Sequence, residues 1–455
     1  MIRCARNWMH DRVTLALAGV FVLIATLYLV RAAYTSHLSL YGGSSGPYNQ
    51  LADAFLHLHL WVGHFTTATL GPDPHAMKAP HPPPWRFDYA LSGHYLYITW
   101  GPAPALVWLV PLHLLGFEPS ASAIVAPFAV VGTGFALATL RVILRQIGEV
   151  PLWASMLAAL TLALASAVPC VVTYTSVYYQ AVAGGYCFAM GGLWLALSAI
   201  AAREASLVRL ALMSLCFGLA TASRPTLGLT ALLLVPVYLA LRPARPRRGL
   251  LVALAAPVLA CFVLLGAYNQ VRFGDPLENG FGYQLNTAYD LHRGELSYLT
   301  PGLWSYLLTP PRPLGHYPYL SVVHPQGSYP LRLPAAWAEF AEPTGGLLPM
   351  APIVFFLLAL PWVWRRRPQL LGALGSPLLL MAGVGLAVLL FLSFEFFGTA
   401  ERYEVDYTSL LLFGAIAVWL ALCAATRGAQ RRALLLGGGL LAAWSCLMAW
   451  AIAIV

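Results

Sequence analysis

The stretch GPAPALVWLVPLHLLGF, Gly101 to Phe117, decides how the rest of this chain is arranged. It is apolar, but it is short and carries Pro102, Pro104 and Pro111. A helix that crosses a bilayer needs roughly 20 apolar residues. An internal proline also removes a helix hydrogen bond and crowds the preceding turn. If the stretch spans, every later segment changes sides. If it does not, it is a surface or re-entrant helix.

Eleven other apolar runs are long enough to span: 13–31, 121–141, 151–169, 177–201, 206–222, 225–241, 249–269, 346–364, 370–394, 407–425 and 433–454. Between them lie six basic clusters: Arg3/Arg6/Arg12, Arg141/Arg145, Arg203/Arg209, Arg242/Arg245/Arg247/Arg248, Arg365/Arg366/Arg367 and Arg427/Arg431/Arg432. Cytoplasmic loops concentrate Lys and Arg. With 101–117 outside the membrane, all six clusters share the cytoplasmic side, which then holds 17 of the 26 basic residues. With it inside, the first cluster opposes the other five. The consistent solution places 101–117 on the outer surface. The first run reads as a retained signal anchor, because no small-x-small cleavage site follows it cleanly.

The expected organisation is therefore a bundle of about 11 transmembrane helices, all-α. Residues 1–31 are the cytoplasmic N-terminus and first helix. Residues 32–120 form a first outer loop with surface helices 46–62 and 101–117. Helices 2–7 occupy 121–269, a second outer segment 270–345, and helices 8–11 residues 346–455. The N-terminus is expected in the cytoplasm and the C-terminus outside.

Composition agrees. Of 455 residues, 59% are hydrophobic and 9% charged, with a net charge of +9. A soluble domain carries about 25% charged residues. An ordinary soluble enzyme, a disordered chain and a nucleic-acid binder with a basic surface are excluded. The seven cysteines form no CxxC pair and no zinc spacing. Those in or beside apolar runs read as small buried hydrophobes.

The polar chemistry sorts to one face. Asp11, Glu149 and Glu204 are the cytoplasmic acids, and the other 14 of 17 lie on the outer side with 11 of 12 histidines. There is no GxxxxGK[ST] and no GxGxxG after a strand. In the first outer loop, SGPYNQLADAFLHLHLWV (45–62) starts a helix at Pro47. Tyr48, Leu51, Phe55, Leu58 and Val62 make one apolar stripe, while Asn49, Asp53 and His57 share another face. Such a helix lies flat on the membrane. Asp53 then stands as a general base beside an imidazole, or as a solvated surface acid. The Pro-rich stretch 71–87 reads as an irregular loop, followed by Asp88 and a Tyr/His/Trp cluster that contains His94. His57, His59, His64, His75 and His81 lack a helical metal spacing, so no metal and no cofactor is expected.

This order resembles the GT-C superfamily of polytopic glycosyltransferases, which includes protein O-mannosyltransferases and the aminoarabinose transferases that act on lipid A. The resemblance rests on three stretches. YNQLADAFL (Tyr48 to Leu56) stands for the family's first surface helix. GPAPAL (Gly101 to Leu106) stands where its Pro-Pro-Leu motif opens the second. ERYEVDY (Glu401 to Tyr407) is similar to its late Arg-Tyr segment. The overlap covers most of the chain, in architecture more than in letters. A set of bacterial membrane proteins sharing LADAFL, GPAPAL and NxxRFGxPxExG (Asn269 to Gly280) is closer still. The family places an acid just before the first surface helix. Here that stretch is YGGSSG, Tyr41 to Gly46, with no carboxylate. Asp53 takes the role, or Asp88 does, or catalysis is absent.

The resemblance implies transfer of a sugar from a polyprenyl-phosphate carrier to a glycan, lipid or protein acceptor outside the cytoplasm. Such chemistry needs a base for the acceptor hydroxyl and cations for the leaving phosphate. Asp53 and Asp88 are the candidate bases. Arg224 in ASRPTLG, Arg272 in NQVRFGDPLENG, and Arg402 are the candidate phosphate ligands, with Tyr48, His57, His94, Tyr403 and Asp406 as further substrate contacts. Each arginine has a plainer reading: Arg224 snorkels to water, Arg272 pairs with Asp275, and Arg402 pairs with Glu401, Glu404 or Asp406. The Ala-, Leu- and Arg-rich composition suits a GC-rich bacterium, and hence an inner membrane. The competing functions are a transporter or flippase of lipid-linked substrates, an O-antigen ligase or polymerase-like enzyme using Arg272, Arg293 and His316, and a non-catalytic assembly protein. No inverted repeat supports a transporter.

Overall fold

The computed structural model describes residues 2–43, 46–64, 89–204, 206–242, 247–285, 294–316, 319–334, 337, 341–395 and 398–453. Asp88, Arg293 and the Pro-rich stretch 71–87 lie outside them.

The protein is a helical bundle of integral-membrane type. Among the described residues, seven helices are long and apolar enough to cross a bilayer. They are α1 (Ile2–Ser36), α4 (Ala121–Gln146), α7 (Val177–Ala202), α10 (Arg247–Phe273), α13 (Gly375–Glu395), α14 (Val405–Ala425) and α15 (Gly428–Ala453). They answer to seven of the eleven expected runs. The other four are shorter or broken, for local reasons. Run 151–169 becomes α5 (Leu152–Leu164) and α6 (Val168–Thr173). Ala167 turns left-handed between them at φ 60°, ahead of Pro169. The hydroxyls of Tyr28 and Ser166 both donate to the Ala163 carbonyl at this break, at 2.7 and 3.0 Å. Run 206–222 is α8 (Leu207–Ser223), capped by Ser206, whose hydroxyl accepts from the Arg209 N–H. Run 225–241 is α9 (Pro225–Leu241), whose first nine residues are wound as a tighter 3-10 helix. Run 346–364 is a 3-10 stretch, Pro352–Ala359, leading into α12 (Leu360–Arg366).

Helix α14 is the hub and is buried along almost its whole length. Helices α1, α10 and α15 are peripheral and turn apolar side chains outward, among them Val263, Leu264 and Leu440. Helix α4 packs on α7, α7 on α8, and α8 on α10. Small residues make this close stacking possible, as in other membrane bundles. On α7, a Cβ at Gly192 would sit 2.7 Å from the Phe217 ring, and one at Gly185 would sit 2.9 Å from the Arg224 stem.

The first outer loop is compact. Helix α2 (Pro47–Leu56) stops well short of residue 62. Leu58 turns left-handed at φ 59°, and the His59 N–H closes back onto the Ala54 carbonyl at 3.0 Å. The chain then runs extended as β1 (Gly63–His64), which pairs with β3 (Tyr95–Ile98); β3 also pairs with β2 (Tyr89–Ser92), so the sheet order is β1-β3-β2. The stretch 101–117 is helical only over α3 (Ala105–Leu114), with a π-helical first turn. Ten residues rise about 15 Å, half of a bilayer core of about 30 Å. Helices α2 and α3 are tied together by His113 Nε2 and Asn49 Oδ1 at 2.8 Å. Asn49 also donates to the Gly43 and Pro119 carbonyls, both at 2.8 Å, and is buried. It therefore does not share a solvent face with Asp53. In the second outer segment, α11 (Leu296–Leu307) packs on α13 at Gly302, where a Cβ would lie 2.8 Å from the Ser393 backbone. Strands β4 (Arg312–Pro313) and β5 (Leu320–Ser321) follow it.

Candidate functional site

A cavity of about 330 Å³ opens where several of these elements converge. Its walls are the loop from Thr99 to Pro102, the α8–α9 junction, the last turns of α10, the last turns of α13, and Tyr403. Trp100, Pro102, Leu229, Leu265 and Phe391 make much of the lining apolar. Leu229 and Phe391 are also exposed on their helices. The apolar side of the cavity thus borders the lipid-facing surface.

Two buried arginines enter this space, each from a helix end set by its neighbours in sequence. Arg224 precedes Pro225. A residue before proline is pushed out of helical geometry, and Arg224 is extended at φ −144° and ψ 107°. The end of α8 therefore projects its guanidinium into the cavity. Arg224 Nε and Nη2 donate to Asp406 Oδ2 at 3.2 and 2.7 Å, and the Thr226 hydroxyl donates to the same oxygen at 2.7 Å. The guanidinium also lies 5.1 Å from the Tyr403 ring centre and 5.9 Å from that of Trp100. Asp406 is therefore the partner of Arg224, from a helix 182 residues away, and not of its neighbour Arg402.

Arg272 ends α10, where Gly274 at φ 77° stops the helix and its N–H closes onto the Gln270 carbonyl at 2.9 Å. Arg272 is 4% exposed. Nη1 donates to the Ile98 carbonyl at 2.6 Å and Nη2 to Asn269 Oδ1 at 2.7 Å. The guanidinium stacks 3.7 Å from the Tyr268 ring centre. Asp275 is not its partner; that carboxylate accepts from the Leu277 N–H at 2.8 Å. Among the described residues every hydrogen-bond partner of Arg272 is neutral. A buried charge without a counter-ion is expensive, so this cation suits an anion brought from outside. The indole N–H of Trp100, on the same wall, has no hydrogen-bond partner among the described residues.

Tyr48 and Gly101 hold this wall in place. Tyr48 is fully buried and its hydroxyl donates to the Gly101 carbonyl at 2.9 Å. Burial pushes the phenol pKa upward, so it stays a neutral donor. Gly101 presses on the end of α8: a Cβ there would lie 2.1 Å from the Ala222 carbonyl oxygen. Gly101→Ala is therefore expected to force the loop and α8 apart. Its readout is a fall in thermal midpoint and in the yield of monodisperse protein, and an unchanged midpoint would refute the contact.

The other expected residues lie elsewhere. Asp53 and His57 are exposed, 61% and 66%, with Nδ1 of His57 3.4 Å from Asp53 Oδ1. His94 is exposed beside Gly93 in the β2–β3 turn. Arg402 does not line the cavity. It pairs with Glu342 and stacks 4.5 Å from the Tyr178 ring centre, not with Glu401, Glu404 or Asp406. Tyr403 stands between the two groups, 5.1 Å from Arg402 as well as from Arg224. The structure thus joins Arg224, Arg272, Tyr403 and Asp406, with Tyr48 behind them. It adds Trp100, Thr226 and Glu395, which were not singled out in sequence, and Asn269, which opens the NxxRFGxPxExG stretch. Among the described residues no three His, Cys, Asp or Glu converge as a metal site.

No family model and no curated protein matches this chain. Two solved structures are similar to it. One is the crystal structure of ArnT from Cupriavidus metallidurans bound to undecaprenyl phosphate, at 15% identity and a TM-score of 0.46, over 96% of this chain and 76% of that one. The other is the Archaeoglobus fulgidus oligosaccharyltransferase in its apo form, at 13% identity and a TM-score of 0.43, over 94% of this chain and 55% of that one.

Proposed function

We propose that this chain is an integral membrane glycosyltransferase of the GT-C type. It moves a sugar from a polyprenyl-phosphate carrier to a glycan, lipid or protein acceptor outside the cytoplasm. The carrying observation is the cavity itself, apolar along much of its wall and holding the buried, carboxylate-free Arg272 beside the Arg224–Asp406 pair. A prenyl chain needs the apolar wall, and a phosphate needs the cation. The positive-inside rule supports the orientation. Residues 99–102, 221–229, 265–281, 388–395 and 403 all belong to stretches assigned to the outer face, with the N-terminus in the cytoplasm and the C-terminus outside. A bacterial inner membrane fits the composition.

In this reading the acceptor oxygen attacks the anomeric carbon and the bond to phosphate breaks. The phosphate gains charge as it leaves, and Arg272 and Arg224 are placed to stabilise it. Arg272 carries more of this role, because Asp406 already offsets Arg224. Tyr403 and Trp100 offer aromatic surface to the sugar. The acceptor proton goes to a carboxylate, for which Asp53 and Asp88 are the candidates from sequence.

The test uses the protein in lipid nanodiscs with a panel of radiolabelled polyprenyl-phosphate sugars. Sugar release or transfer supports the proposal. Binding of the lipid phosphate without turnover of any donor would favour the flippase reading of the same cavity. No binding at all would remove the cavity as the site.

A further inference from the structure

We infer that Glu395 is the general base that deprotonates the acceptor hydroxyl, an inference that rests on the glycosyltransferase reading above. Glu395 is the last residue of α13 and lines the same cavity as Arg224 and Arg272. It is the one carboxylate on that wall among the described residues. The neighbouring acids are already engaged. Asp406 Oδ2 receives Arg224 and Thr226. Glu278 Oε1 receives the N–H groups of Gly280 and Gly282, at 2.6 and 3.3 Å. Asp53 stands in solvent beside His57. The arginine–carboxylate pairs among the described residues are the buried Arg224–Asp406 and the half-exposed Arg402–Glu342, and Glu395 belongs to neither.

Its placement goes against two local preferences. A carboxylate at the C-terminal end of a helix meets the negative end of the helix dipole. A carboxylate in a cavity shaped for a phosphate repels that phosphate. Departures of this kind concentrate at functional sites. A neutral acceptor hydroxyl resolves both, because it donates its hydrogen bond to the carboxylate and stands between it and the donor. Gly294 borders one flank of the carboxylate. That residue sits at φ 65° with its N–H on the Glu395 carbonyl at 3.4 Å, and a Cβ there would lie 3.6 Å from Glu395 Oε2.

The step balances without a further reagent. The acceptor O–H proton passes to the Glu395 carboxylate as the new bond from oxygen to the anomeric carbon forms. The bond from that carbon to the phosphate oxygen breaks, and its electron pair leaves with the polyprenyl phosphate, held by the arginines. The protonated Glu395 then returns its proton to water.

The experiment compares wild type, Glu395→Gln, Glu395→Asp, Asp53→Asn and Asp88→Asn in nanodiscs, on the donor that wild type turns over. A positioned base contributes roughly 10²–10⁴-fold. Glu395→Gln is expected to lose that much kcat while its donor Kd is equal to or tighter than that of wild type and its thermal midpoint is not lowered. Glu395→Asp keeps the carboxylate and is expected to retain partial turnover. Wild type is expected to lose kcat toward acid pH, a limb absent from the residual activity of Glu395→Gln. Glu395→Gln activity within about tenfold of wild type would overturn the assignment. So would an unchanged acid limb, or an equal loss in Asp53→Asn or Asp88→Asn that Glu395→Gln does not share. Should Glu395→Gln fail to fold, Glu395→Ala takes its place, and folded Glu395→Ala with kcat within about tenfold of wild type would also overturn it. Wild-type protein that turns over no donor would instead sink the glycosyltransferase reading on which the assignment stands.

Discussion

On the proposed glycosyltransferase reading, Arg272→Gln is expected to weaken binding of a polyprenyl phosphate by about 10–100-fold, because a hydrogen bond to a charged group contributes about 1.5–3 kcal/mol and each 1.4 kcal/mol is tenfold. The guanidinium is buried, and its partners among the described residues include the Ile98 carbonyl, Asn269 and the Tyr268 carbonyl and ring. None of these is charged, and Glu278 acts on it without a hydrogen bond to it, so a bound phosphate would be its first hydrogen-bonded counter-ion. Glutamine keeps a donor but removes the charge. Arg272→Lys keeps the charge but loses the planar fork that reaches Ile98 and Asn269 together. It is expected to bind between wild type and Arg272→Gln. Equilibrium binding of radiolabelled undecaprenyl phosphate to nanodisc-held protein decides the matter. Equal affinity across the three proteins would show that the phosphate goes elsewhere.

The second large effect is on stability. Asp406→Asn is expected to destabilise the fold by about 3–5 kcal/mol, the cost of leaving one member of a buried ion pair alone. Asp406 is 2% exposed and Arg224 4%, and the pair joins the α8–α9 junction to the start of α14. Thermal unfolding in detergent, followed by loss of monodisperse protein, reads the change. The double variant Arg224→Met with Asp406→Leu is expected to recover most of the loss, since replacing a buried pair by apolar residues is often neutral. Glu342→Gln provides the contrast. Its partner Arg402 is buried, but the Glu342 side chain is 48% exposed, so water can replace part of the interaction and the loss is expected to be smaller. Equal midpoints for Asp406→Asn and wild type would mean that the pair does not lock these helices.

Local rules explain how well the candidate residues were found. Arg224 was legible because a charge inside an apolar run is expensive and therefore purposeful, and the following proline marks the helix end that aims it. Arg272 was named from the stretch NQVRFGDPLENG at the start of the second outer segment, next to a glycine that stops the helix. Their partners were not. Asp406 sits four residues from Arg402, and that proximity made Arg402 its natural partner in sequence. In the fold the segment Glu401–Glu404 is a 3-10 turn, which rotates Arg402 toward Glu342 and Tyr178 and leaves Asp406 to Arg224. Asp53 shows the converse. Its i, i+4 spacing to His57 is real, but the helix buries Tyr48, Leu51 and Ala52 and turns Asp53 outward.

Sequence alone marked this protein as a helical membrane protein. Long apolar runs must pair every backbone group within a helix when they enter a bilayer. Three prolines with a short length mark 101–117 as a helix unlike the others. These are properties of consecutive residues, so consecutive residues reveal them. Tertiary structure alone decided which helices break and which polar groups meet. Ala167 and Leu58 turn left-handed to suit their neighbours. Glu395 reaches the cavity only because α13 packs against the 3-10 start of α9 and against α11. A charge partner is chosen by distance and burial in space, and Arg224 and Asp406 are 182 residues apart. No spacing rule in a single chain encodes such a pair, because its energy comes from the low dielectric that forms only once the helices have closed around it.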